Sequence, residues 1–178
     1  ASEAKAKPLP REVIFVIDTS GSMEGMSIEQ ARESLALALD RLTPQDRFNV
    51  IQFNSYTSQL YPSAVPVNGN TLQEAQRYAR ALIANGGTEM AGALDAALVG
   101  SDNPNVIRQV VFMTDGSVGN EEELFGIIRK KLGDSRLFTI GIGSAPNSYF
   151  MTKAAEFGHG TFTYIGKVEE VNDKMSGL

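Results

Sequence analysis

The 178-residue sequence contains no cysteine, which excludes disulfides, thiol chemistry and zinc–thiolate sites without assigning a compartment. It also lacks any apolar run near the roughly 18 residues of a membrane-spanning helix, and no signal peptide is recognisable in it. No repeat of about 20–50 residues and no low-complexity stretch is visible. Positive charge is scarce: 16 Lys and Arg face 21 Asp and Glu, and the net charge of −5 argues against nucleic acid or an anionic membrane as the partner.

Histidine is nearly absent as well. The single histidine, His159, lies between two glycines, and no acid or serine is placed to form a catalytic triad with it. We therefore interpret it as a turn residue. The stretch GIGSAP has the outline of a phosphate-binding loop, but it lacks the third glycine and the lysine and so does not predict a nucleotide site.

What remains is the composition of an ordinary folded domain, with 42% hydrophobic and 21% charged residues. The length suffices for one domain with a full core. The opening stretch ASEAKAKPLPRE is small, charged and punctuated by proline. We interpret residues 1–9 as a linker and residues 10–178 as the domain, and we expect the chain to be a segment of a longer protein.

Unbroken apolar runs predict strands that are buried on both faces, as in a parallel sheet covered by helices. The stretch SYTSQLYPSA alternates weakly, which predicts a short antiparallel edge strand that Pro62 ends. With helical segments between the strands, the order predicts an α/β domain: a doubly wound, mostly parallel sheet with one antiparallel edge strand and helices on both faces. The predicted strands are Glu12–Ile17, Arg47–Phe53, Val106–Thr114, Leu137–Ile142 and a weaker Gly160–Ile165.

Local signals predict where several helices begin. Ser27, with Gln30 three residues later, has the pattern of a capping box at the start of the first helix. Asn120 is placed to cap a later helix with acids in its first turn and bases in its last, as the helix dipole favours. The predicted helices are SIEQARESLALALDRL, TLQEAQRYARALIA, EMAGALDAALVG, NEEELFGIIRKKLG, SYFMTKAAEFG and VEEVNDKM, the last covering Val168–Met175.

Oxygen-bearing side chains follow the first predicted strand in the stretch DTSGSM. Asp18, Ser20 and Ser22 stand at alternate positions and can project to one side of an extended loop, while Gly21 lets the chain turn. Carboxylate and hydroxyl oxygens suit hard cations such as Mg²⁺ or Mn²⁺. In doubly wound sheets ligands bind beyond the carboxyl ends of the strands, so a site is expected here.

Two further segments supply oxygens. Asp115, in VVFMTDGSVGN, follows another central strand, and Thr88, in NGGTEM, opens a helix after two glycines that allow close approach of the backbone. Taken alone, each group has a structural interpretation, because Ser, Thr and Asp after a strand are frequent helix caps and TDG is a common turn. Together, on one edge of the sheet, the three segments predict a divalent-cation site.

The stretches DTSGSM, GGTEM and TDGSVGN resemble the metal-ion-dependent adhesion site of the von Willebrand factor type A family, which is an Asp-x-Ser-x-Ser, a distant Thr and a distant Asp. All five positions are present, and the resemblance extends from Pro10 to about Met175. The surrounding sequence is most similar to the inter-alpha-trypsin inhibitor heavy-chain type and to bacterial cell-surface proteins related to it.

The resemblance implies that Ser20, Ser22 and Thr88 ligate the metal directly, and that Asp18 and Asp115 ligate it directly or through water. The implied cation is Mg²⁺ or Mn²⁺, with Ca²⁺ as a further candidate. The implied partner is a protein that presents a Glu or Asp carboxylate to the metal, and the implied location is the cell surface or the extracellular space. We expect a monomeric, non-catalytic binding module. Its ligand-contacting rim would comprise Met23, Glu24, Gly25, Met26, Gly86, Gly87, Gly116 and Ser117.

Some alternatives stay open at this point. One of the methionines Met23 and Met26 could pack beneath the loop, or the pair could form an apolar rim beside the metal. A magnesium-dependent phosphoryl-transfer enzyme with Asp18 as nucleophile is disfavoured, because such enzymes typically carry a second Asp where this sequence has Ser20. A spacer domain whose metal only stabilises the rim is compatible with the sequence.

Overall fold

The apolar runs become the strands of one sheet in the computed structural model, which describes residues 10–98, 106–115, 120–143 and 147–165. Helices cover both faces of this sheet. In chain order the elements are β1 (Arg11–Asp18), a 3-10 turn (Gly21–Met23), α1 (Met26–Asp40), β2 (Arg47–Phe53), β3 (Thr57–Gln59), β4 (Val65–Pro66), α2 (Gly69–Arg80), α3 (Met90–Ala97), β5 (Ile107–Thr114), α4 (Glu121–Lys131), β6 (Arg136–Ile142), α5 (Ser148–Phe157) and β7 (Phe162–Ile165).

The sheet is parallel except at one edge. Its strand order is β3-β2-β1-β5-β6-β7, with β4 also paired to β2. In the sheet order β2-β1-β5-β6-β7, each strand is parallel to its neighbour. The short strands β3 and β4 are antiparallel to β2. The predicted fold class is confirmed, and the antiparallel edge consists of two short strands on either side of Pro62.

The central strand β1 explains why its sequence shows no polar–apolar alternation. Val13, Phe15 and Ile17 point into one core, where they share a cluster with Leu35 and Leu39 of α1. The intervening side chains of β1 belong to a second core on the opposite face, which is covered by α3, α4 and α5. Because both faces are buried, every position from the third residue of the strand onward is apolar until the final aspartate.

The first helix begins without the predicted capping box. Gly25 is its N-cap, with a φ of 87°, and no side chain caps the helix. The prediction based on Ser27 and Gln30 is wrong, because Gln30 is fully buried and its Oε1 accepts a hydrogen bond of 2.9 Å from the backbone N–H of Gly143. This bond instead joins the first helix to the end of β6.

A capping box is found at the start of α2, where the Asn68 side chain accepts from the Thr71 N–H and Thr71 Oγ1 accepts from the Asn68 N–H. In α4 the predicted charge pattern is confirmed, with three acids in the first turn and three bases in the last. Asn120 is its N-cap residue, as predicted. Its side chain, however, donates to Glu123 Oε1 at 2.6 Å rather than capping the backbone.

Ion pairs join the strands at their amino ends, away from the predicted site. Arg11 donates to Asp46 at 2.8 Å, and Arg108 donates to Glu12 at 2.9 Å. Burial alone would raise the pKa of Asp46. Its hydrogen bonds from Arg11 and the Thr43 backbone, together with the Arg11 charge, outweigh that effect and lower the pKa.

Several remaining expectations concern the ends of the chain. His159 lies in a turn with a φ of 57°, as predicted. The predicted linker at residues 1–9 and the predicted helix at Val168–Met175 lie outside the described residues and stay predictions. Across the described ranges, none of the helices has both the length and the apolar character that a membrane crossing requires.

Candidate functional site

Asp18 ends β1 and Asp115 follows β5, and because these strands are parallel neighbours, both residues reach the same edge of the sheet. The register aligns Ile17 of β1 with Met113 of β5, which sets the last residues of the two strands side by side. Thr114 Oγ1 donates a hydrogen bond of 2.6 Å to Asp18 Oδ2. The hydroxyl that precedes Asp115 thus fixes the carboxylate at the end of β1.

The Asp18 carboxylate is fully buried and hydrogen-bonded on both oxygens. Its Oδ1 accepts from the Ser20 backbone N–H at 2.8 Å, and its Oδ2 accepts from Thr114. Burial raises the pKa of Asp18, and the negative charge of Asp115 adds to that increase, while the hydrogen bonds from Ser20 and Thr114 oppose it. Two carboxylates close enough to repel each other are suited to share a cation.

The loop after β1 turns Ser20 and Ser22 toward each other. Their Oγ atoms lie 3.0 Å apart. The 3-10 turn produces this arrangement, because the Met23 N–H binds the Ser20 carbonyl and the Glu24 N–H binds the Gly21 carbonyl. Ser20 is buried and Ser22 is exposed, so the pair leads from the buried carboxylate to the surface.

The two methionines of this loop differ in position. Met23 is completely buried in the core between the sheet and α1, whereas Met26 is 62% exposed. The packing interpretation is therefore correct for Met23, and its side chain is not part of an exposed rim. Glu24 and Gly25, also predicted for the rim, are exposed.

The segment that carries Thr88 is held against the β1 loop by backbone hydrogen bonds. The Asn85 N–H donates to the Thr19 carbonyl at 2.8 Å, and the Gly21 N–H donates to the Gly86 carbonyl at 2.9 Å. Gly86 has a φ of 79° and is exposed, as is Gly87. These bonds bring the half-buried Thr88 to the edge that also carries Asp18.

A second set of bonds holds the same segment from the side of β2. The Gly87 N–H donates to Ser55 Oγ at 2.8 Å, and the Glu89 N–H donates to the Asn54 carbonyl at 2.7 Å. The sequence suggested that Thr88 opens a helix, but the helix begins after Glu89. Glu89 is the N-cap residue of α3, and no side chain caps that helix.

Sequence reasoning missed the contacts of two groups that support the site. Thr19 is fully buried, and its Oγ1 lies 3.2 Å from both Gln52 Oε1 and the Phe53 carbonyl, which joins the end of β1 to β2. Asn147 donates its backbone N–H to the Asp115 carbonyl at 2.9 Å and caps α5 with its side chain. The sequence signals for these contacts are that Thr19 lies inside the DTSGSM motif and that Asn147 precedes a predicted helix. Neither signal identifies the hydrogen-bond partner.

The described residues thus bring the five predicted ligand residues to three adjoining segments of one sheet edge: Asp18, Ser20, Ser22, Thr88 and Asp115. Asp115 is half-buried, and its carbonyl is engaged by Asn147. Gly116 and Ser117, which were predicted for the rim, lie outside the described residues. Three of the five predicted ligand residues carry hydroxyls and two carry carboxylates. Among the described residues, no group of three or more His, Cys, Asp or Glu is placed to hold a metal ion.

Comparison with known proteins gives a consistent family. Residues 11–164 match the family model of the von Willebrand factor type A domain. The chain is 32% identical over 168 residues to a von Willebrand factor A domain-containing protein of Dictyostelium discoideum, covering 94% of this chain and 18% of that protein. It is 34% identical over 160 residues to human inter-alpha-trypsin inhibitor heavy chain H4, covering 83% of this chain and 17% of that protein. The chain therefore spans less than a fifth of the length of these relatives.

Solved structures share the fold. A von Willebrand factor type A structure from Catenulispora acidiphila superposes with a TM-score of 0.85 at 24% identity, over 95% of this chain and 42% of that one. Proximal thread matrix protein 1 from the mussel byssus superposes with a TM-score of 0.70 at 16% identity, over 94% of this chain and 46% of that one. The latter structure has zinc in its metal-ion-dependent adhesion site motif.

Proposed function

Since the chain belongs to the von Willebrand factor type A domain family, we propose that it is a non-catalytic module that binds a protein partner through a divalent cation. The cation is held by Ser20, Ser22 and Thr88, with Asp18 and Asp115 as direct or water-mediated ligands. A Glu or Asp carboxylate of the partner completes the coordination. The observation that carries this proposal is that the Asp18 carboxylate and the Ser20 and Ser22 hydroxyls lie at one sheet edge, beside the segments that carry Thr88 and Asp115.

The donor set fits a hard divalent cation. All five side chains offer oxygen, which suits Mg²⁺, Mn²⁺ or Ca²⁺ better than metals that prefer imidazole or thiolate. The Oγ atoms of Ser20 and Ser22 are 3.0 Å apart. Adjacent ligands of an octahedral Mg²⁺, each at about 2.1 Å from the metal, lie about 3 Å from one another. Seven-coordinate Ca²⁺ also accommodates neighbouring oxygens about 3 Å apart, so the preference for Mg²⁺ or Mn²⁺ rests on the family resemblance.

The surroundings of Asp18 support a binding role over a catalytic one. A nucleophilic carboxylate must be accessible to its substrate, but Asp18 is fully buried. A buried carboxylate can still supply negative charge to a cation at the surface of the loop. Ser20, two residues after Asp18, is a hydroxyl rather than the second acid of an aspartate-based phosphoryl-transfer site.

A surface or extracellular location of the parent protein belongs to the same proposal and is supported by the family resemblance.

The spacer alternative differs from the proposal in one respect: its metal would stabilise the rim without a partner. A pull-down from surface extracts in Mg²⁺, repeated in EDTA, separates the two. Replacing the partner's critical acid by its amide should abolish capture, because an amide oxygen brings no negative charge to the metal.

The metal site itself is tested by calorimetric titration of the chelator-treated domain with Mg²⁺ and Mn²⁺. We expect Thr88→Ala and Asp115→Ala to remove binding while circular dichroism remains unchanged, since neither substitution opens a core cavity. Asp95→Ala is the matched control, because this half-exposed aspartate pairs with Lys131 on the helical surface. Full metal affinity in the Asp115→Ala variant would show that the site is placed wrongly.

A further inference from the structure

Large exposed apolar side chains are concentrated at the carboxyl edge of the sheet. Among the described residues, four large hydrophobic side chains are more than half exposed: Tyr56 at 80%, Ile83 at 71%, Met26 at 62% and Tyr149 at 60%. The next two are each 37% exposed. Single exposed apolar side chains are common on protein surfaces, whereas several in one region indicate an interaction surface.

Two of the four side chains lie on segments that contact the site from the side of β1 and β2. Met26 begins α1 directly after the loop that carries Ser20 and Ser22. Tyr56 lies in the turn between β2 and β3, where the preceding Ser55 accepts a hydrogen bond of 2.8 Å from the Gly87 N–H. Both residues therefore lie on segments that adjoin those of the hydroxyl ligands.

The other two lie on segments that contact the site through the backbone. Ile83 lies two residues before Asn85, whose N–H donates to the Thr19 carbonyl at 2.8 Å. Tyr149 is the second residue of α5, two residues after Asn147, whose N–H binds the Asp115 carbonyl at 2.9 Å. Met26, Tyr56, Ile83 and Tyr149 thus come from four different segments that adjoin the same oxygens, and we refer to them as the apolar collar.

The charge of this edge is predominantly negative. The described segments that form it are residues 18–30, 53–57, 81–90, 114–115, 120–123, 143 and 147–150. They contain no Lys, Arg or His, but two arginines adjoin them: Arg80 precedes the segment 81–90, and Arg32 Nε donates to the Leu82 carbonyl at 2.8 Å. Their acids are Asp18, Glu24, Glu29, Glu89, Asp115, Glu121, Glu122 and Glu123.

We infer that the partner of this edge is a protein loop whose central carboxylate is flanked by large apolar or aromatic side chains and by Lys or Arg. The inference rests on the proposed function, because the central carboxylate is the group that the metal binds. The flanks follow from the collar and its charge. Aromatic and methionine side chains are enriched in protein interfaces, and the acids around them favour a basic counterpart.

This partner chemistry resolves an electrostatic conflict at the site. An acidic residue that approaches eight acids is repelled, and a single divalent cation compensates only part of that charge. Basic residues beside the carboxylate add attraction at longer range, and the apolar contacts exclude water around the metal. A partner that offered only an isolated carboxylate would leave the collar exposed and the repulsion uncompensated.

The test uses phage-displayed cyclic peptides with a fixed central Glu and three randomised residues on each side, selected on the domain in millimolar Mg²⁺. We expect the flanks to become enriched in aromatic or large aliphatic residues together with Lys or Arg. A selected peptide, made synthetically, should lose about tenfold or more in affinity with Tyr56→Ser or Tyr149→Ser. Ile107→Ser is the matched control, because this partly exposed residue begins β5 at the opposite edge of the sheet.

The outcomes separate this inference from the proposed function. If binding needs Mg²⁺ and the central Glu while the flanks stay random and the collar variants bind normally, the inference is wrong and the metal function stands. If enriched peptides depend on the collar but bind equally well in EDTA, the inferred carboxylate contact is wrong and so is the metal function. A selection that returns no magnesium-dependent sequence overturns the inference, and the calorimetric titration then decides the metal site separately.

Two other occupants of the collar are checked with the same variants. A phosphatidylcholine vesicle that binds the wild-type domain and not Tyr149→Ser would assign the collar to a lipid surface and overturn the inference. Sedimentation that reveals a dimer dispersed by Tyr56→Ser would assign it to a second copy of the chain, with the same consequence. We expect that the domain does not bind the vesicles and that it sediments as a monomer.

Discussion

Thr114 Oγ1 donates a 2.6 Å hydrogen bond to Asp18 Oδ2, so the last residue of β5 orients the last residue of β1. The two residues are 96 positions apart in the chain and meet because the strands are neighbours in the sheet. Asp18 needs this support, since burial raises its pKa and disfavours its charged form. The adhesion-site pattern does not include Thr114, yet the position of the first carboxylate depends on it.

We expect Thr114→Val to weaken Mg²⁺ binding by about 10- to 100-fold, as loss of a group that orients a metal ligand typically does. The cost in folding stability should be about 1–3 kcal/mol, because a buried hydrogen bond is removed. Thr139→Val is the control: Thr139 is equally buried and donates to the Met151 carbonyl at 2.9 Å, far from the site. Calorimetry and urea unfolding should show that both variants lose stability and that only Thr114→Val loses metal affinity.

Magnesium or manganese should stabilise the folded domain, and zinc should not be required for folding. At about 100 times its dissociation constant, a ligand that binds only the native state adds roughly 2.7 kcal/mol to the free energy of unfolding. For a domain of this size the melting temperature should rise by about 5–10 °C. The measurement is a thermal melt of chelator-treated protein with and without millimolar Mg²⁺, and an unchanged curve would contradict a competent site.

Gly86→Ala should destabilise the domain by about 1–2 kcal/mol and weaken metal binding. Gly86 has a φ of 79°, which L-residues rarely adopt, and an added Cβ would lie 3.0 Å from Ser55 Oγ. The strain would displace the segment that carries Thr88. Gly126→Ala is the contrasting control, because a Cβ there would contact nothing within 4 Å and the residue lies inside α4, where Ala is preferred.

The Arg11–Asp46 pair should give a pH-dependent contribution to stability. Because the pKa of Asp46 in the folded state is below the ordinary value of 3.8, the contribution is complete above that value and is lost as pH falls through the lower, folded-state pKa. Asp46→Asn should therefore cost about 1–2 kcal/mol at pH 7, with the difference shrinking below about pH 3.8. Urea unfolding at pH 7, 4.5 and 3 measures this.

The control for the pH experiment is Asp95→Asn. Asp95 pairs with Lys131, but both side chains are nearly half exposed, and such surface pairs contribute little to stability. Its effect on unfolding should be small at every pH. A difference between wild type and Asp46→Asn that persists unchanged at pH 3 would show that the ion pair is not its cause.

The sequence predicted much of this architecture because the strands are buried on both faces. Continuous apolar runs such as Arg47–Phe53 mark a covered parallel sheet, and that strand has the predicted bounds. The capping box predicted at Ser27 is not formed, because a tertiary contact engages the Gln30 side chain. Gln30 binds Gly143, which lies 113 residues away, and no local pattern reports that contact.

The candidate ligands were predicted from their residue types, whereas their supporting contacts were not. Asp18, Ser20 and Ser22 follow a pattern of fixed spacing that can be found without a structure. The bonds of Thr114 to Asp18 and of Gly21 to Gly86 join segments that are distant in the chain. The position of Met23 likewise depends on whether the loop folds over the core, which composition alone does not specify.

The parallel pairing of β1 with β5 also has a consequence for folding kinetics. Asp115 joins Asp18, Ser20 and Ser22 only when segments almost a hundred residues apart have paired, and this non-local pairing carries the entropic cost of loop closure. The unfolded chain therefore holds only the Asp18–Ser22 part of the site locally, and we expect a cation to bind this part too weakly to act as a template for early structure. Metal should bind after this pairing has formed, so it slows the unfolding of the finished domain and leaves its folding rate nearly unchanged.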